Sequence, residues 1–167
     1  MLIANRSLRV IAAGCALLGW LVPAASAHAQ QTLADSLRAS YSDAALDRVY
    51  TLEELRKLPA IDIATTTPWT EGVQRFRGVA LSTLLHLRPD DRILHMRAIN
   101  DYFVTMPAGD LHEHFPIVAY ERNGAPMSVR DKGRFWLVYP FDQNPRFSDE
   151  THLSRSIWQL VEIRVLR

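Results

Sequence analysis

The chain has 167 residues, 19 of them basic and 18 acidic, a formal charge of +1, and a single cysteine, Cys15. A near-neutral chain without a basic run is not built to match a phosphate backbone, so nucleic acid is excluded as an expected partner. The length suits one ordinary domain that buries a sizeable core without disulfide staples.

The amino terminus sets the expected compartment. Arg6 and Arg9 precede an apolar run over residues 10–22 that Pro23 breaks, and Ala27, His28 and Ala29 follow. This three-part pattern predicts a cleavable signal peptide over residues 1–29, cut after Ala29 or, as the near alternative, after Ala27. The run is shorter than the about 20 apolar residues of a membrane-spanning helix. Cys15 follows Ala12, Ala13 and Gly14, a loose imitation of a lipoprotein signal, but Ala16, Leu17 and Leu18 after it favour a cysteine discarded with the signal peptide. The expectation is a soluble periplasmic domain with no thiolate. Losing Arg6 and Arg9 leaves it 17 basic against 18 acidic residues, a formal charge of −1.

Residues 30–50 are polar and alanine-rich and read as a loose or helical leader; the folded domain is expected over residues 51–167. Thr51 and Glu54 have the spacing of a capping box. Leu52, Leu55 and Leu58 then mark the apolar face of a short helix ended by Pro59. Residues 61–67 are rich in β-branched side chains and read as a strand. Phe76 to Val79 reads as a turn into a second short helix over residues 81–87, closed by Pro89, Asp90 and Asp91. Strands are expected over 93–99, 103–106, 117–121, 135–139 and 158–165, with an Asn123-Gly124 hairpin turn. The 135–139 run is almost wholly apolar, as for a strand covered on both faces. The sum is α+β, with mixed β-sheets and short helices.

No Gly-rich phosphate loop and no nucleophile elbow is present. His112 and His114 flank Glu113 in a segment that reads as a polar connection rather than a metal site, because a metal needs further ligands held in geometry. Trp69, Trp136 and Trp158 lie on three separate segments, each beside polar residues. Burial is the ordinary fate of tryptophan, but a planar heterocycle is also held by such rings while polar groups read its edge. Asn100, Asp101 and Tyr102 form a turn between two strands, and Asp101 could accept paired N–H bonds from a ring edge. Tyr139 and Asp142 open a long loop that runs to Arg155. Arg134 and Arg155 read either as partners for acidic ligand groups or as surface charges.

Phe76-Arg77-Gly78-Val79-Ala80-Leu81, with Leu84 and Leu85 after it, resembles the aromatic-x-G-V-P-L…L-L element of the sulfite-oxidase fold, the oxidoreductase molybdopterin-binding domain. Asn100-Asp101-Tyr102 resembles its N-G-Y turn. Residues 117–127 resemble its hairpin, residues 134–140 its P-x-R-L-V-x-P strand, and residues 157–163 its closing W-x-x-x-I strand. The resemblance runs from Thr51 to the end of the chain. Two departures stand out. The cysteine that ligates molybdenum in the enzymes of this family is replaced by the Thr65-Thr66-Thr67 stretch, and Trp136 stands where the strand arginine is usual.

Both departures are similar to the small stand-alone periplasmic members of this fold that bind free pterins and dock on the periplasmic domain of a membrane-bound cyclic-di-GMP enzyme. The resemblance implies a non-catalytic pterin sensor without metal, and a ligand site at Trp69, Asn100, Asp101, Tyr102, Arg134, Trp136, Tyr139, Asp142, Arg155 and Trp158. Asp101 or Asp142 is the expected partner of the aminopyrimidinone edge. Pterin binding is expected to order residues 142–155 and so inform the partner. The rival expectation is a molybdopterin-dependent oxidoreductase or its accessory subunit.

Overall fold

The computed structural model describes residues 35–43 and 47–167. The expected signal peptide, its cleavage point, Cys15 and the first part of the leader lie outside the described residues.

The remainder of the leader corrects the sequence reading. Ser36–Tyr41 forms β1 and Asp47–Thr51 forms β2. In β1, Leu37, Ala39 and Tyr41 turn inward at alternate positions, the two-residue period of a half-buried strand. What holds the strand is remote: β1 runs parallel to β10 (Leu160–Leu166), from Arg38 opposite Glu162 to Tyr41 opposite Val165. A polar, alanine-rich stretch gives no local sign of such a partner.

Thr51 then caps α1 (Leu52–Arg56) as expected: its hydroxyl accepts the Glu54 N–H at 3.2 Å, and the Glu54 carboxylate accepts the Thr51 N–H at 2.8 Å. β3 (Ala60–Thr67) buries Ile63, Thr65 and Thr67 and turns Asp62, Ala64 and Thr66 outward. β4 (Thr70–Ala80) runs straight through residues 76–79, where a turn was expected. Gly78 is there for close approach, not for turning. A Cβ at that position would lie 2.2 Å from the Val118 carbonyl oxygen of β7 (Ile117–Arg122). The following helix, α2, covers only Leu81–Leu84, shorter than expected, because Leu85 is already extended.

β5 (Ile93–Ala98), β6 (Phe103–Pro107), β7, β9 (Trp136–Val138) and β10 fall where the sequence places strands. Asn123 and Gly124 both have positive φ, as a two-residue hairpin turn of this kind demands, and lead into the short β8 (Ala125–Pro126). Residues 142–155, expected as an open loop, contain a 3₁₀ turn (Pro145–Phe147) and the helix α3 (Glu150–Arg155), whose first turn Asp149 caps by accepting the His152 N–H at 2.8 Å.

The strands form two sheets. The first has the order β2-β1-β10-β5-β6; the second has the order β3-β4-β7-β8, with β9 paired to the other end of β7. One core fills the space between them, with Leu37, Leu94, Met96 and Ile163 from the first sheet and Val79, Val118, Tyr120 and Leu137 from the second. The far face of the second sheet carries another cluster, built on Ile63, Phe76, Ile117, Ala119, Trp136 and Val138. β9 therefore is buried on both faces, as its unbroken apolar sequence predicts. Among the described residues no helix is long and apolar enough to cross a membrane.

Candidate functional site

A cleft of about 380 Å³ opens beside the second cluster. Three segments wall it: Trp69; Ala98, Asn100 and Tyr102; and the stretch from Leu153 through Ser154, Ser156 and Ile157 to Trp158. Each is fixed by its own sequence chemistry.

Trp69 is at the tip of the β3–β4 hairpin. Pro68 before it presets the turn, the Trp69 N–H donates to the Thr67 hydroxyl at 3.2 Å, and the Thr67 and Thr70 hydroxyls share a hydrogen bond at 2.8 Å. Asn100 and Tyr102 lie on the β5–β6 turn. Asp101 between them takes a left-handed φ of 63°, which Asp tolerates better than most residues, and its N–H donates to the Ala98 carbonyl at 3.1 Å. The Asn100 side-chain oxygen accepts the Tyr102 N–H at 3.3 Å, and among the described residues no hydrogen bond occupies its amide N–H groups. Trp158 bridges to Trp136 of β9, while the Ile157 carbonyl accepts the Leu137 N–H at 2.9 Å.

The three tryptophans meet edge to face. Ring centroids are 5.4 Å apart for Trp69 and Trp158, 5.9 Å for Trp69 and Trp136, and 6.2 Å for Trp136 and Trp158. Trp136 is fully buried, and its indole N–H donates to the Ser156 carbonyl at 3.1 Å. It supports the two cleft-lining rings from behind and is closed to a ligand.

Of the ten expected site residues, the structure thus brings Trp69, Asn100, Tyr102 and Trp158 onto one cleft wall, with Trp136 behind them. The others have different company. Asp101 is exposed and pairs with Arg97 at 2.9 Å. Arg134 pairs with Asp35 at 2.7 Å and lines a separate shallow groove with Thr51, Leu52 and Arg56. Tyr139 is buried among Phe141, Phe147 and His152; burial pushes its phenol well above the usual range. Asp142 ties the chain to β3: it accepts the Thr66 hydroxyl and the Thr66 N–H, each at 2.6 Å, and the hydroxyl bond above all holds its carboxyl below the usual carboxylate range. Arg155 pairs with Asp110 at 3.0 Å, which anchors α3 next to the cleft.

Sequence reasoning missed Ala98, Leu153, Ser154, Ser156 and Ile157. Asp149 was the available signal, since an N-cap residue ahead of Leu153 marks a helix start. His112 and His114 have separate neighbours, Phe147 at 5.8 Å and Phe115 at 6.5 Å between ring centroids. No group of three or more metal-ligating side chains occurs among the described residues.

No protein-family model matches the chain, and no curated protein matches it. Its fold does match a solved structure, the sulfane dehydrogenase SoxCD from Paracoccus pantotrophus, with a TM-score of 0.58 at 16% identity. The match covers 78% of this chain but only 38% of that one. The chain therefore shares an α+β fold, distantly, with part of a SoxCD chain.

Proposed function

We propose that the protein is a non-catalytic binding module of sulfite-oxidase-like fold for a free pterin, acting in the periplasm as a sensor. The cleft walled by Trp69 and Trp158 carries this reading. Its volume of about 380 Å³ suits a small heterocycle and lies toward the low end of the about 300–1,000 Å³ of ordinary ligand sites. Two indoles supply the stacking surface, and the free amide N–H groups of Asn100 can read a ring edge. Asn100 replaces Asp101 and Asp142 in that role, because both carboxylates already have protein partners.

A molybdopterin-dependent oxidoreductase, or an accessory subunit of one, is the second reading, favoured by the fold shared with a dehydrogenase. The donor set does not fit that cofactor. Molybdenum calls for soft thiolate donors, and residues 65–67 offer three threonines, of which Thr66 bonds Asp142. Arg134 and Arg155, the two arginines expected at the site, are engaged by Asp35 and Asp110.

Occupancy would be reported by the cleft's rim to the periplasmic domain of a membrane-bound cyclic-di-GMP enzyme. Tyr102 at the cleft and Phe103 beside it are more than half exposed, which gives a partner an aromatic surface next to the ligand. A ligand shifts such an interaction only if it binds the two states differently. The test is a titration of purified protein with oxidised and reduced pterins, read by tryptophan fluorescence. Quenching is expected; its absence up to millimolar ligand would end the pterin reading. Stoichiometric molybdenum in the native protein would favour the oxidoreductase instead.

A further inference from the structure

Behind Trp158 the backbone is held in an unusual way. Lys132 has φ 60°, Gly133 has φ 73° and Gln159 has φ 52°, three left-handed residues in mutual contact. A Cβ on Gly133 would lie 2.6 Å from the Gln159 Cα, so only glycine fits that crossing. The Gln159 N–H donates to the Lys132 carbonyl at 2.9 Å, and the Gln159 amide donates to the Val129 carbonyl at 3.0 Å. Non-glycine residues in this region cost free energy and persist where the surroundings force them. Here the result is specific: the Lys132 ammonium stands 4.2 Å from the centroid of the Trp158 ring, and 5.9 Å from that of Trp136. Lys132 is not among the residues that wall the cleft, so its charge reaches a bound ring by way of Trp158 rather than by contact.

We infer that Lys132 is a specificity-determining residue that acts through Trp158 and makes the cleft select an anionic planar heterocycle over its neutral counterpart. An ammonium this close to an indole is held by the ring's negative quadrupole, which fixes a full positive charge beside the cleft. Trp158 lines the cleft, so a ring stacked on it lies in the positive field of that ammonium. A ring bearing a carboxylate, or one that has lost its lactam proton, gains from that field. A cationic ring loses.

This rests on the cleft being a heterocycle site, so the experiment separates the two ideas. Pterin and 6-carboxypterin are titrated into full-length wild type, K132M and K132R at neutral pH and low salt. Wild type and K132R are expected to bind the carboxylate about 3- to 10-fold more tightly than pterin, in line with a cation–π-scale interaction. K132M is expected to bind the two alike while still binding pterin. Equal binding by wild type, or an unchanged preference in K132M, overturns the inference and leaves the binding module standing. No binding of either ligand by wild type overturns both. Should K132M fail to fold, K132Q is titrated in its place: loss of the preference for 6-carboxypterin supports the role of Lys132, and an unchanged preference overturns it.

Discussion

The cleft and the joint between Asp142 and β3 are built on opposite principles. At the joint the side-chain oxygens all have partners: the Asp142 carboxylate takes two bonds from Thr66, and the Asp142 N–H donates to the Thr65 hydroxyl at 3.1 Å. At the cleft, half-buried indoles face outward and the Asn100 amide keeps its donors. A saturated polar network holds a chain in place, whereas a partly apolar wall with spare donors holds a ligand. The threonines at the position expected for a metal ligand therefore belong to the scaffold, and the proposed recognition falls to the aromatic side.

Substitutions can break this contrast or sharpen it. The largest effect is expected at Trp136, which supports the cleft from within. Trp136→Ala should cost about 3–5 kcal/mol in urea denaturation, as for other fully buried large aromatics. Trp158→Ala separates binding from stability: pterin affinity should fall tenfold or more, since stacking of a heterocyclic base on an aromatic ring is worth about 1–3 kcal/mol. A Trp158→Ala protein that binds as wild type would move the site elsewhere.

Asp142→Asn should do the reverse. Its expected cost is about 1 kcal/mol, the net worth of an ordinary hydrogen bond, with pterin affinity unchanged. The sign of its pH dependence follows from its lowered folded-state carboxyl pKa. Stabilisation is in place above the ordinary carboxylate range and is lost as pH falls through the folded value, because the unfolded chain then takes up the proton first. Acid unfolding followed by circular dichroism should therefore show a smaller pH dependence for Asp142→Asn than for wild type. The smallest change belongs to Asp101→Asn, which retains a residue tolerant of left-handed φ and removes only an exposed ion pair worth about 0–1 kcal/mol. Its pterin titration should overlay that of wild type. A tenfold loss would restore Asp101 as the ring-edge partner.

The sequence was legible where the determinant is local. The Thr51–Glu54 capping box, the Asn123-Gly124 turn and the apolar strand at Trp136 each announce themselves within a few residues. It was illegible where the determinant lies far along the chain. β1 is a strand because β10 pairs with it, and Gly78 lies in a strand rather than a turn because β3 and β7 pair with β4 on either side. The site divides in the same way. Residue type and the resemblance pointed to Trp69, Asn100, Tyr102 and Trp158, which the structure brings to one cleft. Arg134, Asp142 and Arg155 have chemistry that suits a ligand equally well, and only their distances to Asp35, Thr66 and Asp110 assign them to the scaffold.

The order of the first sheet also has a consequence in time. Its middle strand, β10, comes last of the described strands in the chain, yet β1 and β5 meet only through it. During synthesis the first sheet has no centre until residues 160–166 emerge from the ribosome. Until then β1 and β2 can form only an isolated hairpin, which is at best marginally stable in water. Closure is thus a late event set by a long-range contact, and such contacts form slowly. Until β10 arrives, β1 and β5 stay unjoined and open to any chaperone that handles extended polypeptide.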